Sequence, residues 1–360
     1  MIARHITRLM HIAVFACGAL FFGQAMAQAQ PRVPFQFGVG IHVGQNKNSL
    51  PATQAALTQG GFTSFRDEVF WHRLEKKRGV LEFPDSLKDL DQLVTQSVAA
   101  GHRPLLILDY GNPLYDGGGQ LSSQEGIAAY VRYVRFVVKH FRGRVDQFEV
   151  WNEWNIGGGG TPEQHKARYG DPAGYAAVLR AAYAAVKAEN PSATVIGGAF
   201  AGFDYRWIDA FARAGGFNSL DGFSIHPYVF SGGRTGTPEA AMKRLDELKA
   251  RLEQLAPGRV VPVYVTEAGW PSHQGSNGVS EETVATYLQR FMLLAKARPW
   301  IAGVWWYDLF DDGSDAQDKE HRFGLISQDG TPKPAFRAIS RFRSQLISPT
   351  PQAPTNVSVP

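Results

Sequence analysis

Eight short apolar segments, separated by stretches of helical periodicity, constrain the fold of this chain more than any other feature. The segments are rich in β-branched and aromatic residues and lie near 35–43, 62–66, 104–110, 145–153, 194–200, 222–228, 261–267 and 301–307. Near-continuous apolar runs of this length are typical of parallel strands that are buried on both faces. The sequence therefore predicts eight buried strands joined by helices.

The stretches between these segments carry apolar residues at helical spacing, for example from Leu87 to Val98 and from Leu245 to Leu255. Glycine often follows the last periodic residue, as at Gly60 and Gly101, which suits the left-handed position just beyond a helix. Eight strands, each followed by a helix, predict an α/β fold, a single-domain (β/α)8 TIM barrel over 33–346. A doubly wound open sheet is the alternative, but the first segment lacks the glycine-rich dinucleotide turn.

The two ends of the chain differ from the rest. Arg4 and Arg8 precede an apolar run at 12–22 that is too short to span a bilayer, and small residues follow at Ala25 and Ala27. This pattern predicts a signal peptide over 1–27 and a secreted or periplasmic protein, with cleavage after Ala29 or an uncleaved anchor as alternatives. At the other end, the proline-rich segment 347–360 is predicted to be a flexible tail.

Composition excludes several classes of function. The chain has 360 residues, 44% of them hydrophobic, and a net charge of +4, which falls to about +2 when the predicted signal peptide is removed. So small a charge does not indicate nucleic acid or a membrane surface as a partner. The only cysteine, Cys17, lies in the predicted signal and is a poor match to a lipidation site. The histidines show no metal-ligand spacing, so we expect no metal. We also expect no cofactor and no obligate protein partner.

Two glutamates stand at the ends of predicted strands four and seven. Glu153 closes the run 148–153, and Glu267 closes the run 261–267. In a barrel the carboxyl ends of all strands face one mouth. Two carboxylates across such a mouth are what glycosidic hydrolysis requires, with retention at separations of ~5–5.5 Å and inversion at ~6.5–9.5 Å. The sequence leaves that separation open.

Several segments, taken in order, resemble clan A glycoside hydrolases of family 39 and the related family 5. Trp151-Asn152-Glu153 and the run 266–270 resemble the two catalytic segments of these enzymes. The segments that resemble the second, sixth and eighth strands and the entry to the last helix are 65–83, 226–228, 306–313 and 323–335. The end of the third strand, 108–113, lacks the histidine of many family 5 enzymes, which favours family 39.

The resemblance implies a role for each of seven residues. Glu153 resembles the acid/base, Glu267 the nucleophile of a retaining mechanism, and Asn152 the residue that binds the sugar 2-hydroxyl. Arg66 resembles the arginine beside the nucleophile, and His226 resembles a residue that lines the site. Tyr228 resembles the phenol that is hydrogen-bonded to the nucleophile. Trp306 resembles the aromatic floor under the sugar, with Trp305 as the alternative. On this hypothesis Arg66 and Tyr228 hold Glu267 in its charged form, and the nearby negative charge favours the protonated form of Glu153.

Residues at the end of the third strand are left open by the sequence. Tyr110, Asn112 and Tyr115 either line sugar subsites or are ordinary loop residues. The prediction is a secreted glycoside hydrolase, retaining and endo-acting, that cuts β-linked poly- or oligosaccharides, with an exopolysaccharide as one candidate substrate. The alternatives are an exo-acting β-glycosidase, such as a β-xylosidase, and a carbohydrate-binding barrel without activity.

Overall fold

A closed barrel of eight parallel strands forms the centre of the molecule. The computed structural model describes residues 34–167, 169–231 and 234–347. Each strand pairs with its neighbours in sequence, and the last strand pairs with the first, which closes the barrel and confirms the predicted (β/α)8 fold. The strands are β1 (Gln36–Gly40), β2 (Ser64–Phe70), β3 (Leu105–Asp109), β4 (Gln147–Val150), β5 (Thr194–Ala201), β6 (Gly222–His226), β7 (Val263–Ala268) and β8 (Ile301–Trp306).

Helices follow every strand and cover the outside of the barrel. They are α1 (Leu50–Gly60), α2 (Trp71–Leu74), α3 (Lys88–Ala99), α4 (Gln124–His140), α5 (Pro162–Ala167), α6 (Pro172–Glu189), α7 (Tyr205–Arg213), α8 (Pro238–Leu255), α9 (Glu281–Lys296) and α10 (Pro334–Ile347). Short 3₁₀ turns lie at Asp85–Leu87, Asp116–Gly118, Trp154–Ile156, Gly216–Ser219 and Glu320–Arg322, and a small hairpin pairs Phe230–Ser231 with Arg234–Thr235.

Local sequence signals explain where these helices begin and end. Six helices start at a side chain that accepts a hydrogen bond from a backbone N–H of the first turn, namely Ser49, Ser123, Asp171, Asp204, Thr237 and Ser280. The predicted left-handed glycine after α3 is confirmed at Gly101, where φ is 83°. After α1 that position is Gly61, with φ 63°, and Gly60 is the last residue of the helix.

The interior of the barrel is filled by side chains. A buried apolar cluster inside it consists of Leu105, Ile196, Tyr264, Ala302 and Trp305. Gly38 makes room for this cluster, because a Cβ atom at that position would lie 2.2 Å from the Trp305 ring. The barrel is therefore a packed core and carries its functional groups only at the mouth.

The predicted terminal segments are only partly covered by the structure. The predicted signal peptide, 1–27, lies outside the described residues, and so does 348–360 of the predicted tail. The first residue of that tail, Ile347, is the last residue of α10. Among the described residues, no helix combines the length and the apolar character that crossing a membrane requires.

Candidate active site

Arg66, on β2, connects most of the predicted site residues at the mouth of the barrel. Its Nε donates to Glu149 Oε2 at 2.6 Å, its Nη1 to Glu267 Oε1 at 2.8 Å and its Nη2 to Asn152 Oδ1 at 2.8 Å. Burial opposes the charge of the guanidinium, but Glu149 and Glu267 outweigh burial and raise the pKa of Arg66. A permanently charged Arg66 thus holds Glu267 in place through a charge-assisted hydrogen bond.

Glu267 reaches the mouth because β7 is irregular. On β8 the paired residues Val304 and Trp306 are two positions apart. Their partners on β7, Val265 and Ala268, are three positions apart, so β7 carries one extra residue at this point. Such a bulge re-aims the side chains that follow it. Glu267 is only 9% exposed and meets Arg66 from one side.

Glu153 follows β4 on an unusual backbone. The predicted strand 145–153 ends at Val150, because Trp151 has φ 66° and Glu153 has φ 49° and ψ 39°. Non-glycine residues adopt this left-handed region at a cost of about 1–2 kcal/mol, so their surroundings must hold them there. The Glu153 N–H donates to the Ala199 carbonyl at 2.9 Å, and the Glu153 carbonyl accepts from Gly158 at 2.9 Å. The acid is thereby fixed to β5 and to the glycine-rich loop.

His226, at the end of β6, lies between the two glutamates. Its Nδ1 is 2.8 Å from Glu153 Oε1 and 3.5 Å from Glu267 Oε2. Burial lowers the pKa of His226, but the charge of Glu267 and the hydrogen bond to Glu153 outweigh burial and raise it above its ordinary value. His226 therefore bridges both carboxylates, a closer part in the site than the lining role that the resemblance implied.

Tyr228 contacts Glu267 from the other side of the mouth. Its hydroxyl donates to Glu267 Oε2 at 3.2 Å. Burial, followed by the charge of Glu267, raises the pKa of Tyr228 well above its ordinary value, so the phenol stays protonated and available as a donor. Glu267 thus accepts from Arg66 through one oxygen and from Tyr228 through the other, as the resemblance implied.

The separation of the two carboxylates is short. One oxygen of Glu153, one of Glu267 and a ring nitrogen of His226 all lie within 4.8 Å of one another. This group, and a second one formed by His42, Asp308 and Asp312, has the composition of a metal site. In each group a hydrogen bond joins the histidine to a carboxylate, His226 to Glu153 and His42 to Asp308.

The residues after β3 divide between the site and its support. Tyr110 belongs to the site, because its hydroxyl accepts from Asn152 Nδ2 at 2.8 Å. Asn112 and Tyr115 do not line the cleft. Asn112 Nδ2 donates to the Glu75 carbonyl at 2.8 Å, and the Tyr115 hydroxyl donates to Glu75 Oε1 at 2.6 Å.

Glu75 is the centre of this support behind the cleft. Its buried carboxylate also accepts from Trp71 Nε1 at 2.7 Å and from the Gly79 N–H at 2.6 Å. The carboxylate therefore accepts from three donors, of which Trp71 and Tyr115 are buried and the Gly79 N–H is partly buried. This cluster explains part of the motif at 65–83 that the sequence analysis identified.

The structure does not place Trp306 in the cleft, which corrects the sequence prediction. Trp306 is fully buried, and its ring stacks on Trp270 with centroids 5.7 Å apart. Trp305 lies inside the barrel, where its Nε1 donates to Ser64 Oγ at 2.9 Å. Because side chains alternate along a strand, Tyr307 points inward again and lines the cleft. Tyr307, like Tyr110, presents an aromatic side chain to the cleft.

A cavity of 170 Å³ lies over these groups. We call it the inner cavity; its walls include Arg66, Tyr110, Asn152, Glu267 and Tyr307. Arg66, Asn152 and Glu267 of the predicted site residues lie on this wall. Glu153, His226 and Tyr228 lie beside it, and Trp306 lies apart.

A second charged group, which the sequence analysis missed, forms the wall of the inner cavity where β1 meets β8. His42 Nε2 contacts Asp308 Oδ2 at 2.9 Å, and Lys47 Nζ contacts Asp312 Oδ2 at 3.0 Å. Burial lowers the pKa of His42, but Asp308 outweighs it and raises the pKa to about 9, while burial raises the pKa of Asp308 to about 6. At neutral pH both form a charged pair. The run 306–313 was a signal for Asp308, but its partner depends on barrel closure.

No protein-family model and no curated protein matches this sequence. Solved structures do match. A family 39 glycoside hydrolase from the gut symbiont Bacteroides cellulosilyticus WH2 superposes with a TM-score of 0.72 at 28% identity, covering 88% of this chain and 65% of that one. The structural neighbours of this chain thus include family 39 glycoside hydrolases.

Two further structures extend this likeness. A monomeric β-xylosidase from Caulobacter crescentus CB15 superposes with a TM-score of 0.66 at 21% identity, covering 86% of this chain and 68% of that one. GH5_18 from Streptomyces cattleya, in complex with GlcNAc, superposes with a TM-score of 0.69 at 19% identity. The match covers 89% of this chain and 82% of that one. The resemblance to family 39 is therefore confirmed, and the GH5_18 structure shares the fold, while this chain spans about two thirds of the length of the first two structures.

Proposed function

We propose that this chain is a glycoside hydrolase that cleaves β-glycosidic bonds in a poly- or oligosaccharide with retention of configuration. The observation that carries the proposal is the distance of at most 4.8 Å between carboxylate oxygens of Glu153 and Glu267. Retaining enzymes hold their two carboxyl groups about 5–5.5 Å apart, whereas inverting enzymes need about 6.5–9.5 Å to admit a water molecule. The short separation favours direct attack by one carboxylate.

The surroundings of the two glutamates support different roles for them. Glu267 accepts from the guanidinium of Arg66 and from the phenol of Tyr228, and both contacts stabilise a carboxylate anion. We therefore propose Glu267 as the nucleophile. The side chain of Glu153 is 23% exposed and, among the described residues, it contacts His226 and no arginine, so it can exchange a proton with the leaving group and with water. Glu153 is proposed as the acid/base.

The reaction then has two balanced steps. Glu267 attacks the anomeric carbon while the C–O bond to the leaving group breaks and Glu153 gives its proton to that oxygen. A glycosyl ester on Glu267 results. In the second step Glu153 takes a proton from water, the water oxygen bonds to the anomeric carbon, and Glu267 leaves as a carboxylate. Asn152, fixed by Arg66 and Tyr110, is placed to bond the 2-hydroxyl in both steps.

The substrate is proposed as a saccharide, and one alternative activity has support. The β-xylosidase from Caulobacter crescentus shares this fold, so an exo-acting β-glycosidase remains the second candidate. A carbohydrate-binding barrel without activity is disfavoured by the two positioned carboxylates. From the features of segment 1–27 we further propose that the protein is exported.

Substitution of the two glutamates tests the assignment. On an aryl glycoside with a good leaving group, Glu267→Gln should abolish turnover, whereas Glu153→Gln should still allow the attack step, since that leaving group needs no proton. A 2-fluoro glycosyl fluoride should label Glu267, and NMR should show the β-anomer as the first product. Glu253→Gln, at an exposed position of α8, is the matched control. Equal residual activity of the two variants, or the α-anomer as first product, would contradict the proposal.

A further inference from the structure

A second, larger cavity adjoins the inner cavity. This outer cavity measures 430 Å³, and its walls include Lys47, Asn48, Phe310, Asp312 and Gln328. Lys47 and Asp312 line both cavities. The ion pair between them, 3.0 Å long, therefore stands at the junction of the two spaces. A ligand that fills the inner cavity therefore lies next to the outer one, with the Lys47–Asp312 pair between them.

The position of the two glutamates determines which part of a substrate enters this path. The leaving group must lie on the side of Glu153, because Glu153 protonates its oxygen. Glu267 and Asn152 line the inner cavity, and Glu153 stands outside its wall. The inner cavity therefore takes the sugar whose bond is cleaved, and the outer cavity lies beyond that sugar on its non-reducing side.

The chemistry of the outer cavity suits a neutral sugar. Phe310, partly buried, offers a ring surface to the C–H face of a pyranose. Asn48 Oδ1 accepts from the His42 N–H at 2.8 Å, and within the described ranges its amide nitrogen makes no hydrogen bond. The amide of Gln328 likewise makes none to any described residue. An apolar surface beside free amide groups is a common arrangement for binding a polyhydroxylated ring.

We propose that the outer cavity is a second glycone subsite, which binds the sugar preceding the one at the cleavage point, and that the Lys47–Asp312 pair contacts both sugars. The inference rests on the proposed glycosidase activity and deepens it. The Lys47 side chain is 48% exposed and can follow the ligand, whereas Asp312 is 14% exposed and is held 3.9 Å from His42. A cleft that continues past the first glycone unit accepts internal positions of a chain, so this subsite supports the endo action that the sequence predicts.

Paired substrates test the subsite. The probes are 4-nitrophenyl β-glycosides of xylose, glucose, mannose and GlcNAc, each compared with the glycoside of the matching β-1,4-linked disaccharide. We expect the disaccharide to be released as one unit, with kcat/KM at least about tenfold above that of the monosaccharide glycoside. Release of the terminal sugar first, or a ratio of one or less for every hydrolysed pair, overturns the subsite and leaves the proposed function intact. Absence of turnover and of labelling on all probes contradicts the proposed function itself.

Variants locate the effect in the outer cavity. Gln328 is exposed and makes no hydrogen bond to the described residues, so Gln328→Ala should fold normally. We expect this variant, and Asp312→Asn, to lower the disaccharide-to-monosaccharide ratio of kcat/KM by about three- to tenfold. Gln59→Ala, at an exposed position of α1, is the matched control and should keep the wild-type ratio. A ratio in Gln328→Ala and Asp312→Asn equal to that of the control would overturn the assignment.

Discussion

Replacement of Arg66 by methionine tests the central ion network of the mouth. Arg66 is 5% exposed and neutralises two carboxylates, Glu149 and Glu267, of which Glu149 is fully buried. Removing one partner of a buried ion pair typically costs about 3–5 kcal/mol, because the remaining charge is left without compensation. For a chain of this size we expect the melting temperature to fall on the order of 10 °C.

Activity should fall for a separate reason. The bond from Arg66 Nη1 to Glu267 is charge-assisted, and such bonds contribute about 1.5–3 kcal/mol. If that contribution is lost in the transition state, kcat/KM falls about 10- to 150-fold. The Arg66→Met/Glu149→Gln double variant separates the two effects. It removes the uncompensated buried charge, so stability should recover in part, while Glu267 still lacks its cation and activity should not recover.

The assay combines thermal unfolding with hydrolysis of an activated aryl glycoside for both variants. Arg213→Met, at an exposed position of α7, is the matched control. If the double variant unfolds below Arg66→Met, the charge on Glu149 is not what destabilises the single variant. If the double variant regains wild-type kcat/KM, Arg66 does not act through Glu267. Either result refutes this account of the network.

Three further predictions concern stability and the walls of the cleft. The pKa of His42 rises from 6.5 to about 9 on folding, so the folded state binds more protons between these values, and stability should decrease by up to about 3 kcal/mol as pH rises from 6.5 to 9. Melting curves should show this slope, and His42→Gln should flatten it; an unchanged slope would contradict the shift. Tyr307→Ala should lower kcat/KM at least about tenfold, whereas Trp306→Leu should mainly lower the melting temperature, and the reverse result would restore Trp306 as the sugar platform. Glu75→Ala leaves the buried donors of Trp71 and Tyr115 without an acceptor and should lower the free energy of unfolding by roughly 2 kcal/mol or more, measured by urea denaturation; a loss below about 1 kcal/mol would exclude a structural role.

The order of the elements and the two glutamates could be predicted from the sequence, because hydrophobic periodicity and strand-end carboxylates are local signals. The irregular backbone was not predictable in this way. The residues around Trp151 carry no signal for a left-handed backbone, so the sequence predicts a fourth strand that continues to Glu153. The sequence likewise carries no signal for the bulge in β7. Trp306 and Tyr307 point to opposite sides of β8, because side chains alternate along a strand. A shift of one residue therefore exchanges the buried residue for the one that lines the cleft. The pairing of His42 with Asp308 depends on which strands close the barrel.

The left-handed backbone at Trp151 and Glu153 also affects which residues related sequences are expected to keep at these positions. Each position carries a conformation that glycine would adopt without cost and asparagine more easily than most residues. A lineage that lost the activity would no longer be selected to keep tryptophan and glutamate there, and random substitution would tend to relax both positions. Retention of both strained residues is therefore a mark by which active members can be told from decayed copies of the barrel, even where the rest of the sequence has diverged.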